Sequence, residues 1–529
     1  MTFAVPGLQG LPVVLRRKDE SSTADVSGKL PSQSREQWRE PMPSAHRRAD
    51  GVRGMTLWLA GLTRRHDQYL CAALRGLGYR AWPMAAPDNE ALKIGKEFCN
   101  RGQCNPTYYT AGNLIRHLRS LEANGIDRDE IIANHALLTA GSCGPCRFGM
   151  YATEYRKALR QAGYEGFRIL ELNQYAMTGD ASEQSGFEVN RDFIVDIVKS
   201  VVAADVLNML GYRIRPYEQR PGATDEALSA CDAIVIKALE QRRSVLRALR
   251  RCRSRIDAIE VDKLQPKPVV LVIGEIWAMT TEGDGNYGIH RFLEREGAEV
   301  MIEPVYNWLF YLFWDQRYEV LERRGLRVAD STGRGLAGRS DTRPIRVATM
   351  MERLLRLSIR LFAAAVGLSR PPLPDIGAMA AETQPFYDSD VRGGEAFMEV
   401  GKYMEAAQQR LCHLVVSVKP FGCLPSSGVS DGVQSLVTAR YPETAFYAVE
   451  TTGDGKSSVY SRLQMMLFNA HKRAQSEFSE ALATIGCDEA EARRRALTGR
   501  GRSGARYQPP HRCPTTAANV TLSLRRGFG

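Results

Sequence analysis

The sequence predicts an α/β protein of two Rossmann-like lobes. Each is a doubly wound, mostly parallel sheet with extra helices, and disordered tails flank the pair. Three observations carry that expectation. Short aliphatic runs such as 136–139, 269–273 and 413–418 alternate with stretches of helical period, the pattern of repeated βαβ units. Runs this continuously apolar belong to strands buried on both faces. The alternation stops at the proline-bearing linker 264–268, LQPKP, and then restarts.

Size and composition allow such a fold. The chain has 529 residues, 44% hydrophobic and 25% charged, enough for two or three domains of about 150 residues each. No apolar run reaches the roughly 18 residues needed to span a bilayer. The segment 360–368 is too short, and 307–314 reads as a core helix or pocket wall. Arg16, Arg17 and Lys18 are not followed by an apolar stretch, which argues against a secretory signal. Eleven cysteines in such a chain indicate a reducing cytoplasm.

The net charge of +11 is concentrated in the tails and one helix. Residues 1–54, rich in Ser, Arg, Pro and Gln and without periodicity, read as a disordered N-terminal segment. Residues 491–529, with Arg493, Arg494, Arg495, Arg500, Arg502 and Arg506, read as a basic disordered tail. No aromatic platform interleaves those charges. Neither nucleic acid nor a membrane is an expected partner.

The first lobe, 55–263, starts with a βαβ unit: strand 56–62, helix 67–77 and strand 79–83. A cysteine loop precedes the helix 109–124. Strand 136–139 leads into a Gly/Pro/Cys turn and a helix over 147–160. Strand 167–173, a helix over 193–210 and a basic helix over 238–259 close the lobe. The stripe Leu246, Leu249, Ile256 and Ile259 makes that last helix one-sided. The second lobe, 264–490, repeats the pattern. It has strand 269–273, helix 287–296, strand 299–305, helices 345–368 and 394–410, strand 413–418, a loop with Cys423, helix 429–440, strand 446–450 and helix 458–473.

The cysteines divide by context. Cys71, Cys231, Cys252, Cys412 and Cys487 fall inside helical or strand patterns and read as packing. Cys99 and Cys104, Cys143 and Cys146, and Cys423 lie on strand-end or pre-helix loops. Open α/β sheets bind ligands there, and a helix N-terminus lowers a thiol pKa. Their flanks, Cys104-Asn-Pro, Gly-Pro-Cys146 and Gly-Cys423-Leu-Pro, are turn chemistry. Ligands spread over three loops suit an iron–sulfur cluster held between lobes, whereas structural zinc favours tight Cys-x-x-Cys pairs.

Two other motifs are weaker. Gly283-Asp-Gly285-Asn-Tyr-Gly288 has the GxGxxG spacing, but residues 275–282 separate it from its strand. The segment 451–457, TTGDGKS, resembles a phosphate loop but follows Glu450, whose charge would repel phosphate. It reads as a polar helix N-terminus near a ligand. His117 and His413 read as structural.

The segments GKEFCNRGQCNP…GNLIRHL, GPCRFGMY, VIGEIW…RFLEREGAEV and KPFGCLPSSGVSDGVQSL together resemble the 2-hydroxyglutaryl-CoA dehydratase family. The likeness is greatest to the dehydratase-like component associated with acyl-CoA dehydratase activases, and runs over residues 55–474. It implies two Rossmann-like lobes holding a [4Fe-4S] cluster between them by cysteines. Cys104, Cys146 and Cys423 match the family's motif cysteines. Cys143 and Cys99 have no counterpart there and stand as candidate fourth ligands; no catalytic side chain is assigned. The resemblance implies a lyase that uses the cluster for one-electron reduction of an acyl-CoA or related substrate. Its expected partner is an ATP-dependent activase or a second dehydratase-like subunit. Two alternatives remain open: a non-catalytic [4Fe-4S] electron-transfer or cluster-carrier protein, and a dinucleotide-dependent oxidoreductase using the GDGNYG turn.

Overall fold

The apolar runs fold into two parallel sheets. The computed structural model describes residues 51–141, 146–172, 190–324, 341–391, 396–426, 431–498 and 504–524. Strands β1 (Thr56–Leu59), β2 (Arg80–Pro83), β3 (His135–Ala140) and β4 (Arg168–Leu172) lie in the order β2-β1-β3-β4. Strands β5 (Val269–Gly274), β6 (Glu299–Ile302), β7 (Leu414–Pro420) and β8 (Ala445–Thr451) lie in the order β6-β5-β7-β8. Every strand pairing is parallel. All residues of the central strands β5 and β7 are buried, whereas the edge strands β2 and β8 mix buried and exposed positions. Helices on both faces impose that difference.

The two sheets share one topology, and that topology positions the cysteine loops. In each, the first strand connects toward one edge and the third toward the other, which opens a crevice at their carboxyl ends. The loop with Cys146 leaves β3, and the loop with Cys423 leaves β7, the equivalent strand. The described residues all belong to one compact unit. A buried joint ties the halves. Asp205, on the helix Arg191–Ile214, accepts the backbone N–H groups of Val305 (2.9 Å) and Tyr306 (2.8 Å) and stands 3.2 Å from His66.

Cys104 is positioned by a close helix crossing that glycine permits. The helices Asn89–Phe98 and Asn105–Ala123 touch backbone to backbone. A Cβ on Gly95 would lie 1.9 Å from the Tyr108 carbonyl oxygen, and one on Gly112 would lie 1.8 Å from that of Ala91.

Two expectations are corrected. The basic stretch 238–259 is not one helix: Ala223–Glu240 ends, Arg242 turns the backbone at φ +50°, and Ser244 caps a new helix, Val245–Asp257. That helix does pack on one side, with Val245, Ala248, Leu249, Cys252 and Ile256 buried. The C-terminal segment, read as a disordered tail from 491, carries helices Glu489–Thr498 and Thr516–Ser523. Ala517, Val520 and Leu524 pack with Leu264 and Phe478, and the buried Lys263 donates to the carbonyls of Ala505 (2.7 Å) and Tyr507 (2.5 Å). Among the described residues, Arg493 pairs with Asp262 and Glu489, Arg494 and Arg495 with Glu491, and Arg506 with Asp257; Arg500 and Arg502 lie outside the described residues. Residues 1–50 of the N-terminal segment lie outside the described residues. Among the described residues, no helix is long and apolar enough to cross a membrane.

Candidate functional site

Cys104 is the N-cap of the helix Asn105–Ala123, with Pro106 in the first turn and Cys104 itself 5% exposed. Its Sγ lies 2.9 Å from the Tyr151 hydroxyl and 3.4 Å from that of Thr107. A helix N-terminus alone would lower the thiol pKa. Here burial wins and pushes it up, against the two hydroxyl bonds and with the nearby Glu275 charge.

The loop after β7 docks on this helix start. The Asn105 N–H donates to the Phe421 carbonyl (3.0 Å), and the Asn105 side-chain amide donates to the Thr451 carbonyl. Gly422 adopts φ +77° with its missing Cβ only 3.2 Å from the Gln103 carbonyl oxygen and 3.3 Å from the Cys104 Cα. Glycine is required there by both conformation and closeness. The next residue, Cys423, is buried and donates from Sγ to the Ser426 hydroxyl (3.3 Å). Ser426 donates in turn to Glu399 (2.8 Å), a carboxylate 2% exposed that also accepts from the Gln434 amide (3.4 Å).

Cys146 arrives from the other lobe. It is half-buried and precedes the 3-10 turn Arg147–Met150 and the helix Tyr151–Gln161. Arg147 donates to the Gly102 carbonyl, and Phe148 stands edge-on to Tyr151 with ring centres 5.2 Å apart. Tyr151, five residues after Cys146, therefore reaches Cys104. Cys99 closes the helix Asn89–Phe98 and is buried; burial pushes its thiol up to about 12, and the Glu154 charge adds to that. Glu154 also accepts from the Asn100 (3.0 Å) and Gln103 (3.3 Å) side-chain amides, holding the turn between Cys99 and Cys104. Cys143 lies outside the described residues.

Three acid–base groups that the sequence reading passed over line the same region. Glu275 follows β5 immediately, anchored by its N–H to the Val418 carbonyl (3.0 Å) and capping Ala278 (2.8 Å). Burial pushes its carboxyl up, the N–H groups of Ala278 and Trp277 oppose that, and the charge of Glu399 adds to it. Lys419, at the end of β7, is 4% exposed and paired with Asp431; burial lowers its pKa, while Glu399, Cys423 and Glu450 raise it. A signal was present for each: a charged residue at the carboxyl end of a buried strand for Glu275 and Lys419, and an acid inside the apolar helix Ala396–Gln408 for Glu399.

The structure thus brings the loops of Cys104, Cys146 and Cys423 together. Among the described residues, no three Cys, His, Asp or Glu side chains converge closely enough to hold one metal ion. The glycine motif is packed differently. The helix Ile276–Thr280 intervenes after β5, and a Cβ on Gly285 would meet the Trp277 ring at 2.4 Å. The Tyr287 hydroxyl accepts the N–H groups of Thr452 (2.7 Å) and Gly453 (3.2 Å), so this turn occupies amides a phosphate loop would offer a ligand. Fold and site together define a two-lobed α/β protein in which buried thiols and carboxyls gather where the loops of the two sheets meet. Comparison with family models and with curated proteins finds no match.

Proposed function

We propose that the chain is an iron–sulfur protein of the 2-hydroxyacyl-CoA dehydratase type, with Cys104, Cys146 and Cys423 as ligands of a [4Fe-4S] cluster. The observation that carries this reading is the docking of Phe421–Cys423 on the backbone of Gln103–Asn105, with Tyr151 bonded to the Cys104 sulfur. The donor chemistry fits: thiolates on separate loops are the ligand set of such clusters, and partners hydrogen-bonded to the sulfurs tune them. Cys104, Cys146 and Cys423 would hold the cluster, which would supply one-electron chemistry at the thioester of an acyl-CoA substrate.

The chain's own side chains supply the proton handling. Burial, with the charge of Glu399 added to it, pushes the buried Glu275 carboxyl up to about 7, so this group takes up or releases a proton near neutral pH. Tyr151 offers its hydroxyl to the Cys104 sulfur, and Lys419 balances Glu399 and Cys423. An ATP-dependent activase or second dehydratase-like subunit is the proposed partner. A reducing, cytoplasmic setting belongs to the same proposal and rests on the cysteine-rich sequence.

Anaerobically purified protein should be brown and contain about four iron and four sulfide per site. Cys104→Ala, Cys146→Ala and Cys423→Ala should each lose most of the iron, and Cys252→Ala should lose none. Colourless protein with stoichiometric zinc, or full iron in the Cys146 variant, would end the reading. A change in the reduced-cluster spectrum on adding a 2-hydroxyacyl-CoA separates an enzyme from an electron carrier.

A further inference from the structure

The helix Thr342–Val366 buries only one of its faces. Ala348, Leu355, Ile359, Phe362 and Val366 face the core. On the other side Val347, Met350, Leu354, Leu357 and Leu361 remain 47%, 53%, 50%, 51% and 46% exposed. Their spacing alternates three and four residues over two heptads, the a and d positions of a coiled-coil seam. Single exposed leucines are ordinary on a protein surface, but a straight row of large aliphatic side chains marks an interaction site.

The charges beside the row identify its complement. Arg346, Arg353 and Arg360 are exposed and seven residues apart, so they form one flank of the seam. The helix carries five arginines and a single carboxylate, Glu352. That carboxylate is already held by Arg317 (2.6 Å) and Arg356 (2.8 Å). The basic helix Val245–Asp257 adjoins the far end, where Arg253 donates to the Ala364 carbonyl; Arg247, Arg250, Arg251 and Arg255 are exposed there. The surface is apolar along its centre and positive along its edge.

We propose that this face seats an amphipathic helix of another protein, one with aliphatic residues at a and d and Asp or Glu along the edge that meets Arg346, Arg353 and Arg360. A second copy of the same helix does not supply that edge. Paired parallel, the three arginines meet Met351, Ser358 and Ala365; paired antiparallel, they meet one another. A lipid surface is a poorer match as well. The stripe is the narrow two-in-seven seam rather than the broad apolar face of an interfacial helix, and it has no aromatic residue.

The test uses the full-length protein and two synthetic helical peptides, both with Leu at a and d, one with Glu and one with Lys at e and g. The Glu peptide should bind about tenfold more tightly at low salt, three charge pairs being worth about that much. Leu354→Lys with Leu357→Lys should abolish binding while leaving thermal unfolding unchanged. Arg346→Glu, Arg353→Glu and Arg360→Glu together should reverse the preference between peptides. Equal binding of both peptides, or no binding of the Glu peptide, overturns the proposal. A dimer in sedimentation that the double leucine variant dissociates would assign the face to a second copy. Binding to phosphatidylserine vesicles that the same variant abolishes would assign it to a membrane, and either result overturns the proposal.

Discussion

Replacing Gly422 by alanine tests the contact on which the candidate site rests. At φ +77° an L-residue costs about 1 kcal/mol from its own backbone. The added Cβ would also stand 3.2 Å from the Gln103 carbonyl oxygen and 3.3 Å from the Cys104 Cα. Both are backbone atoms, pinned by the 3.0 Å bond from the Asn105 N–H to the Phe421 carbonyl. Relief therefore requires the loop to lift and weaken that bond, worth about another 1 kcal/mol. The expected loss is about 2 kcal/mol. Two further glycines isolate the terms. Gly486, at φ +64° with nothing within 4 Å of its Cβ position, should lose only the backbone part, about 1 kcal/mol, as alanine. Gly432, in a helix with equally open space, should be neutral or gain less than about 1 kcal/mol. Urea unfolding followed by circular dichroism reads all three. If Gly422→Ala costs no more than Gly486→Ala, the Cys423 loop does not lie against Cys104, and the reasoning fails.

Two further outcomes follow from the packing and one from titration. Gly112→Ala would drive a Cβ to 1.8 Å from the Ala91 carbonyl oxygen and should cost about 3 kcal/mol by forcing the helices Asn89–Phe98 and Asn105–Ala123 apart; a loss below about 1 kcal/mol would contradict the backbone-to-backbone crossing. Val520→Ala should cost about 1.5 kcal/mol in the same urea assay, because Val520 is 1% exposed in the C-terminal cluster, and no loss would mean that cluster does not form. Burial raises the Glu477 carboxyl, but bonds from His413 and from the Thr515 hydroxyl (2.6 Å) and N–H outweigh it and bring its pKa to about 2, below the ordinary 4.5. A depressed carboxyl stabilises the fold above pH 4.5 and loses that contribution as pH falls toward 2. Glu477→Gln should therefore flatten the stability curve between those limits, and an unchanged acid limb would show that the bonds carry no folding energy.

The sequence by itself determined the α/β class, the sheet-forming strands and the chain position of each cysteine loop. Continuous aliphatic runs such as 269–273 can be satisfied only by burial on both faces, and that local demand is readable without any partner. The start of the helix expected over 193–210 follows from the Asn190 side chain, which accepts the N–H three residues on, again a local bond. What the tertiary structure alone decided involves pairs distant in the chain. Gly422 is an ordinary loop glycine until Cys104 arrives beside it. Glu399 is an acid in an apolar helix until Ser426 and Gln434 reach it. Arg493 and Arg506 of the C-terminal segment looked solvated because two carboxylates that pair with them, Asp262 and Asp257, lie more than two hundred residues earlier. Charge composition is a local count, whereas its neutralisation is a property of the folded surface. For the same reason the seam on Thr342–Val366 stayed hidden: its heptad is visible in sequence, but which face the core consumes is set only when the helix packs.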